Sequence, residues 1–102
     1  MNAAPYFSVE SDTLGTLRVS GAITFTNAAR ALAYVPQTPR EGTPVTIDLS
    51  ALENSDSATL AVLIAWSATA QARGGRLRYL HAPAGLQNLA RLCAVDRLLG
   101  LP

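Results

Sequence analysis

The stretch from Val45 to Leu80 restricts the possible folds more than any other part of this sequence. VTIDL, at 45–49, opens on β-branched residues and has the apolar content of a strand in the middle of a sheet. A polar loop, SALENSDS, follows at 50–57, and then a helix is expected from about Ala58 to Arg73. Gly74 and Gly75 close that helix as the expected left-handed C-cap residues, and a second strand begins at once at Arg76 and runs to Leu80. A strand, a helix and a strand joined this tightly require a right-handed parallel crossover, which makes the chain an α/β protein.

The flanking segments complete one domain. Tyr6 to Val9 and Thr16 to Val19 are short β-favouring runs separated by Ser11, Asp12 and Gly15, which reads as a hairpin. Thr26 or Asn27 can cap a helix through Ala28, Arg30, Leu32 and Tyr34, and Pro36 with Pro39 stops it in a loop that ends at Pro44. After Leu80, the residues His81, Pro83 and Gly85 lead into an amphipathic helix with Leu86, Leu89, Leu92 and Cys93 on one side. AVDRLLGLP is left as a tail. The order β, β, α, β, α, β, α, with no repeat or linker, describes a single α/β domain over residues 1–102.

Composition narrows the function classes. Of the 102 residues, 49% are hydrophobic but only 6% aromatic, so the core must be built from Ala, Val, Leu and Ile. A formal charge of +1, with arginines spread from Arg18 to Arg97, gives no basic excess to neutralise a run of phosphates, so nucleic acid is not an expected partner. Cys93 alone cannot form an internal disulfide, and its neighbours Leu92, Ala94 and Val95 suggest a buried small hydrophobe in a reducing compartment. The opening MNAAPYFSVESDTLG lacks the pattern of a secretory signal. The segment 57–72 is too short and too polar to span a bilayer, so no direct membrane insertion is expected.

The central helix has two faces of different kinds. Thr59, Val62, Leu63, Trp66 and Ala70 form the natural core face. Ala61, Ala65, Ala68 and Ala72 lie opposite, with Ser57, Ile64 and Gln71 beside them and no charge before Arg73. Solvated helix faces normally hold Lys, Glu or Arg, so a smooth neutral stripe suggests a second surface packed on it, a second copy of the chain included. Alanine is also the best helix former, and helix propensity alone accounts for such a stripe in the bland reading. Asp56 and Ser57 stand at the helix start, where free N–H groups and the helix dipole suit an ordinary cap and would also suit a phosphoserine.

VTIDLSALENSDSATLAVLIAW resembles the signature of STAS domains, in which a strand ending DLS leads through a short loop to Asp, then Ser or Thr, then small residues and an apolar helix. Here those positions are Asp48, Leu49, Ser50, Asp56, Ser57, Ala58 and Leu60. SGAIT at 20–24, RGGRLRYLHAP at 73–83 and LQNLARLCAVDRLL at 86–99 are similar to the flanking segments of the family, so most of the chain is covered. The resemblance implies a mixed central sheet of four to five strands with about three helices packed on it, and a binding module that needs no cofactor. It implies that Ser57, Asp56, Thr59, Ala61, Ile64, Ala65 and Ala68 are the partner-binding or phosphorylatable residues, with Arg73 or Arg91 at a polar rim.

Two branches of the family suggest two partners. In anti-anti-sigma members the Ser at the Ser57 position is phosphorylated by an anti-sigma kinase. In the STAS subunit of Mla-type phospholipid ABC transporters the same position lies against the ATPase subunit, which implies a cytoplasmic protein held at the inner membrane through the transporter complex. The family commonly has glycines just after the Ser or Thr, whereas Ala58 and Thr59 stand here, which makes the loop stiffer and less suited to a kinase cleft. The short chain of near-neutral charge is more similar to the transporter subunit.

Catalysis lacks its constellation. The only histidine, His81, has no matched cysteine, Ser57 has no identifiable base, and GxSxG is absent. One His and one Cys twelve positions apart do not make a metal site. RGGR at 73–76 has the wrong spacing for a phosphate loop, and Asp48 is better explained as capping the loop after its strand than as a binding carboxylate.

Overall fold

The computed structural model describes residues 6–12, 15–34 and 44–101. Seven elements follow in the expected order: β1 (Phe7–Ser11), β2 (Leu17–Gly21), α1 (Ala28–Ala33), β3 (Val45–Leu52), α2 (Ser57–Ala72), β4 (Leu77–Leu80) and α3 (Ala84–Leu92). The strands lie in chain order in one mixed sheet, with β1 antiparallel to β2, and β2–β3 and β3–β4 parallel. Four strands and three helices fall within the architecture that the resemblance implies. The loop containing Pro36 and Pro39 lies outside the described residues.

Alternation along the strands separates two faces. Val19, Ile47, Leu49 and Tyr79 join Ala31, Val62, Leu63, Trp66, Leu86 and Ala90 in one core cluster, whereas Glu10, Arg18, Ser50 and Arg78 are exposed. The hairpin turn is organised by Asp12, whose carboxylate accepts the Thr16 N–H at 2.9 Å while its own N–H donates to the Thr16 carbonyl. Gly21, at φ +84°, has no room for a side chain: an added Cβ would collide with the Tyr6 carbonyl oxygen.

Where the structure departs from expectation, local hydrogen bonding or chain direction explains it. β3 does not stop at Leu49 but runs to Leu52, because the register with β2 shifts between Arg18 and Ser20 and the strand continues through this irregularity. Asp48 accepts the Ser50 N–H there at 2.9 Å. The helix α2 ends at Ala72 with Arg73 as its C-cap, only Gly74 of the two glycines is left-handed, and the Gly75 N–H returns to the Ala70 carbonyl at 2.9 Å. Asn27 precedes α1 but makes no side-chain cap; its buried amide instead accepts from Thr24 N and donates to Ala22 O.

The last helix gives the clearest correction. Leu86, Leu89 and Ala90 face inward, but Leu92 is 85% exposed and Cys93 is exposed as well, so Cys93 is not a buried small hydrophobe. The helix ends at Leu92, Ala94 turns the chain at φ +58°, and Val95, Leu99 and Leu101 take up the inner positions. What reads as a tail is therefore part of the core. No helix among the described residues is long and apolar enough to cross a membrane.

Candidate functional site

The start of α2 is held by a side-chain network that reaches across to the loop after β2. Asp56 is the N-cap: its Oδ1 accepts the Thr59 N–H at 3.0 Å, as an Asp before a helix should. Asn54 donates through Nδ2 to Asp56 Oδ2 at 3.1 Å and to the Ile23 carbonyl at 2.9 Å, and accepts the Ile23 N–H at 3.1 Å. The Thr59 hydroxyl lies 2.8 Å from the Ile23 carbonyl oxygen and 3.1 Å from Asp56 Oδ1, sharing its one proton between them. Among the described residues no buried side-chain polar atom lacks a partner, and in this corner the bonds tie the start of α2 to the loop after β2.

Of the expected site residues, Ser57, Ala61 and Ala68 are exposed, Ile64 and Ala65 are half-buried on the same side of α2, and Gln71 and Ala72 continue the exposed face. Asp56 is half-buried and committed to its cap. Thr59 is 0% exposed, so the structure removes it from any contact surface: its hydroxyl instead ties the first turn of α2 to the Ile23 carbonyl. The face is neutral, with no ionisable side chain between Asp56 and Arg73.

Two exposed apolar residues on elements joined to α2 escape sequence reasoning. Phe25 is 78% exposed on the loop that Asn54 and Thr59 tie to the helix start, and Leu32 is exposed on α1, which packs against α2 with Trp66 Nε1 donating to the Ala31 carbonyl at 2.8 Å. An aromatic residue between a glycine-ended strand and a helix start carries no periodic signal, and only its three-dimensional anchoring marks it. Asn54 has the same history: it reads as loop polarity until its partners are seen.

A second polar cluster lies on the open face of the sheet. Asp48 accepts from Ser50, lies 3.2 Å from His81 Nδ1 and 3.8 Å from Arg18 Nε. The Ser50 backbone N–H, helped by His81, holds the Asp48 carboxyl below the usual carboxylate range. Asp48 is expected to cap a loop after its strand, but the Ser50 N–H that it accepts lies inside β3, and its carboxylate also ties β3 to Arg18 and His81. His81 adopts φ +59°, a left-handed conformation. Among the described residues no group of three His, Cys, Asp or Glu side chains is placed to hold a metal ion.

The geometry can therefore present a rigid, uncharged helix face that begins at a hydroxyl. Comparison with curated proteins found no match. A family model described as "Mlab, STAS domain" matches residues 8–100, which takes in every strand and helix but the first residue of β1. A match of that extent over a mixed four-stranded sheet with three helices makes this chain a member of the MlaB-type STAS domain family.

Proposed function

We propose that this chain is a non-catalytic STAS subunit that binds and supports or regulates the ATPase of a phospholipid-transporting ABC complex, on the cytoplasmic side of the inner membrane. STAS domains serve as regulatory and binding modules, and the MlaB-type match favours the transporter branch. One observation carries the reading: Ser57, Ala61 and Ala68 lie exposed on a helix face without charge, above a start that is locked by Asn54, Asp56 and Thr59. Small side chains let a partner backbone approach closely and lose little rotamer entropy on docking. A face fixed in advance adds no ordering cost. Ala58 favours this reading over the kinase-switched one, since it is buried where the family commonly has a glycine, which stiffens the segment after Ser57.

Affinity-tagged protein isolated from native membranes tests the proposal. An ABC ATPase should be recovered with the unaltered chain and lost with Ala61→Glu, which places a charge on an exposed position and leaves the melting temperature unchanged. Recovery of an ATPase by both proteins alike, or by neither, would sink the interface. Phosphate on Ser57 after incubation with an anti-sigma kinase would instead move the protein to the other branch.

A further inference from the structure

The arginines look scattered along the sequence, but residues 73–102 contain five of them, Arg73, Arg76, Arg78, Arg91 and Arg97, against a single acidic residue, Asp96. The fold gathers three. Arg76 and Arg78, around the start of β4, and Arg97, in the segment after α3, line one groove together with Ser67 and Gln71 of α2 and Leu98. All three arginines are exposed. Among the described residues none of them has an ion pair; the ion-paired carboxylate, Asp48, is engaged by Arg18 and His81. Three arginines lining one concavity concentrate positive charge there, which a nearby carboxylate would offset. Here that position is open to a ligand.

We propose that this groove binds a phosphoryl group. Guanidinium forks match the geometry of phosphate oxygens and donate bidentate, charge-assisted hydrogen bonds to them. The groove has a volume of about 170 Å³, below the roughly 300–1,000 Å³ of sites that enclose a drug-sized ligand, and matches a phosphoryl or headgroup-sized anion. The groove adjoins the far end of the exposed α2 face, where Gln71 belongs to both, and lies away from the Ser57 end. At about 1.5 Å per residue, Ser67 and Gln71 lie about 15 and 21 Å along α2 from Ser57. An anion here and a protein at Ser57 could be bound together.

Pyrophosphate titration of the full chain, followed by amide NMR, tests the site. Saturable shifts are expected at Gln71, Leu77 and residues 97–100, and each Arg→Gln change at 76, 78 or 97 should weaken binding by about tenfold. Sedimentation with vesicles of phosphatidylglycerol or of phosphatidylcholine identifies the source. Selective binding to the anionic vesicles, lost in the triple Arg→Gln variant, assigns a lipid headgroup; shifts with pyrophosphate and no vesicle binding assign a soluble phosphate. The proposal is overturned if neither probe binds, or if the triple variant, folded by its unchanged amide spectrum elsewhere, responds as the parent does.

Discussion

Asn54 decides how well the candidate docking corner is built. Its side chain makes three hydrogen bonds, two to the Ile23 backbone and one to Asp56, and so couples the loop after β2 to the cap of α2. Asn54→Ala leaves the part-buried Ile23 N–H without its partner, at a cost of about 1–3 kcal/mol. Urea denaturation should show that loss, and a midpoint unchanged from the parent would show that the network is not what fixes the corner. Asp48 gives a prediction of a different kind, in pH. Its folded-state pKa lies below the ordinary 3.8, so its stabilising effect is complete above that value and disappears as pH falls through the lower folded value. Asp48→Asn should therefore remove part of the acid dependence of stability below pH 3.8. Thermal melts between pH 5 and pH 2, run on both proteins, would contradict this if their slopes were the same.

At the scale of elements, much of the fold is legible because periodicity and stop signals agree. Gly74 ends α2 where a left-handed residue is needed, and Leu63, Trp66 and Ala70 recur at helical spacing on the buried side. β3 was less legible: Ser50 reads as loop because nothing in the sequence shows that Asp48 will capture its N–H while the strand continues. The uncharged face of α2 is legible for a related reason, since absence of charge over sixteen helical residues is a property of the sequence itself. Phe25 is not, because the loop that carries it is placed by long-range bonds from the Ile23 backbone to Asn54 and Thr59. If the proposed partner docks over this corner, Phe25 is the large rigid anchor that such interfaces use. Phe25→Ala should then weaken binding by about 2 kcal/mol or more while stability changes by less than about 0.5 kcal/mol, as for a surface residue. Calorimetric titration with the recovered ATPase would read this, and an unaltered affinity would place the anchor elsewhere.

For the whole molecule, closure of the core depends on the segment that follows α3. The sequence after Cys93 shows no repeat long enough to declare an element, and its leucines, at 98, 99 and 101, do not tell by spacing which will turn inward. The structure distinguishes them: Leu99 is 2% exposed and Leu101 is buried, whereas Leu98 is 53% exposed. The reversal at Ala94 and the bonds from Leu99 N to Val95 O and from Leu101 N to Asp96 O bring these side chains back to the core. Such a domain has a small margin of about 5–15 kcal/mol, and removing a buried leucine typically costs about 2–5 kcal/mol. Each kcal/mol shifts the midpoint of a domain near this size by about 4–8 °C. Leu99→Ala should therefore lower the melting temperature by at least about 8 °C, while Leu98→Ala, on the exposed side of the same segment, should leave it nearly unchanged. Scanning calorimetry on the two variants separates a core-closing segment from a tail: equal midpoints would mean that Leu99 contributes no more to the folded state than its exposed neighbour does.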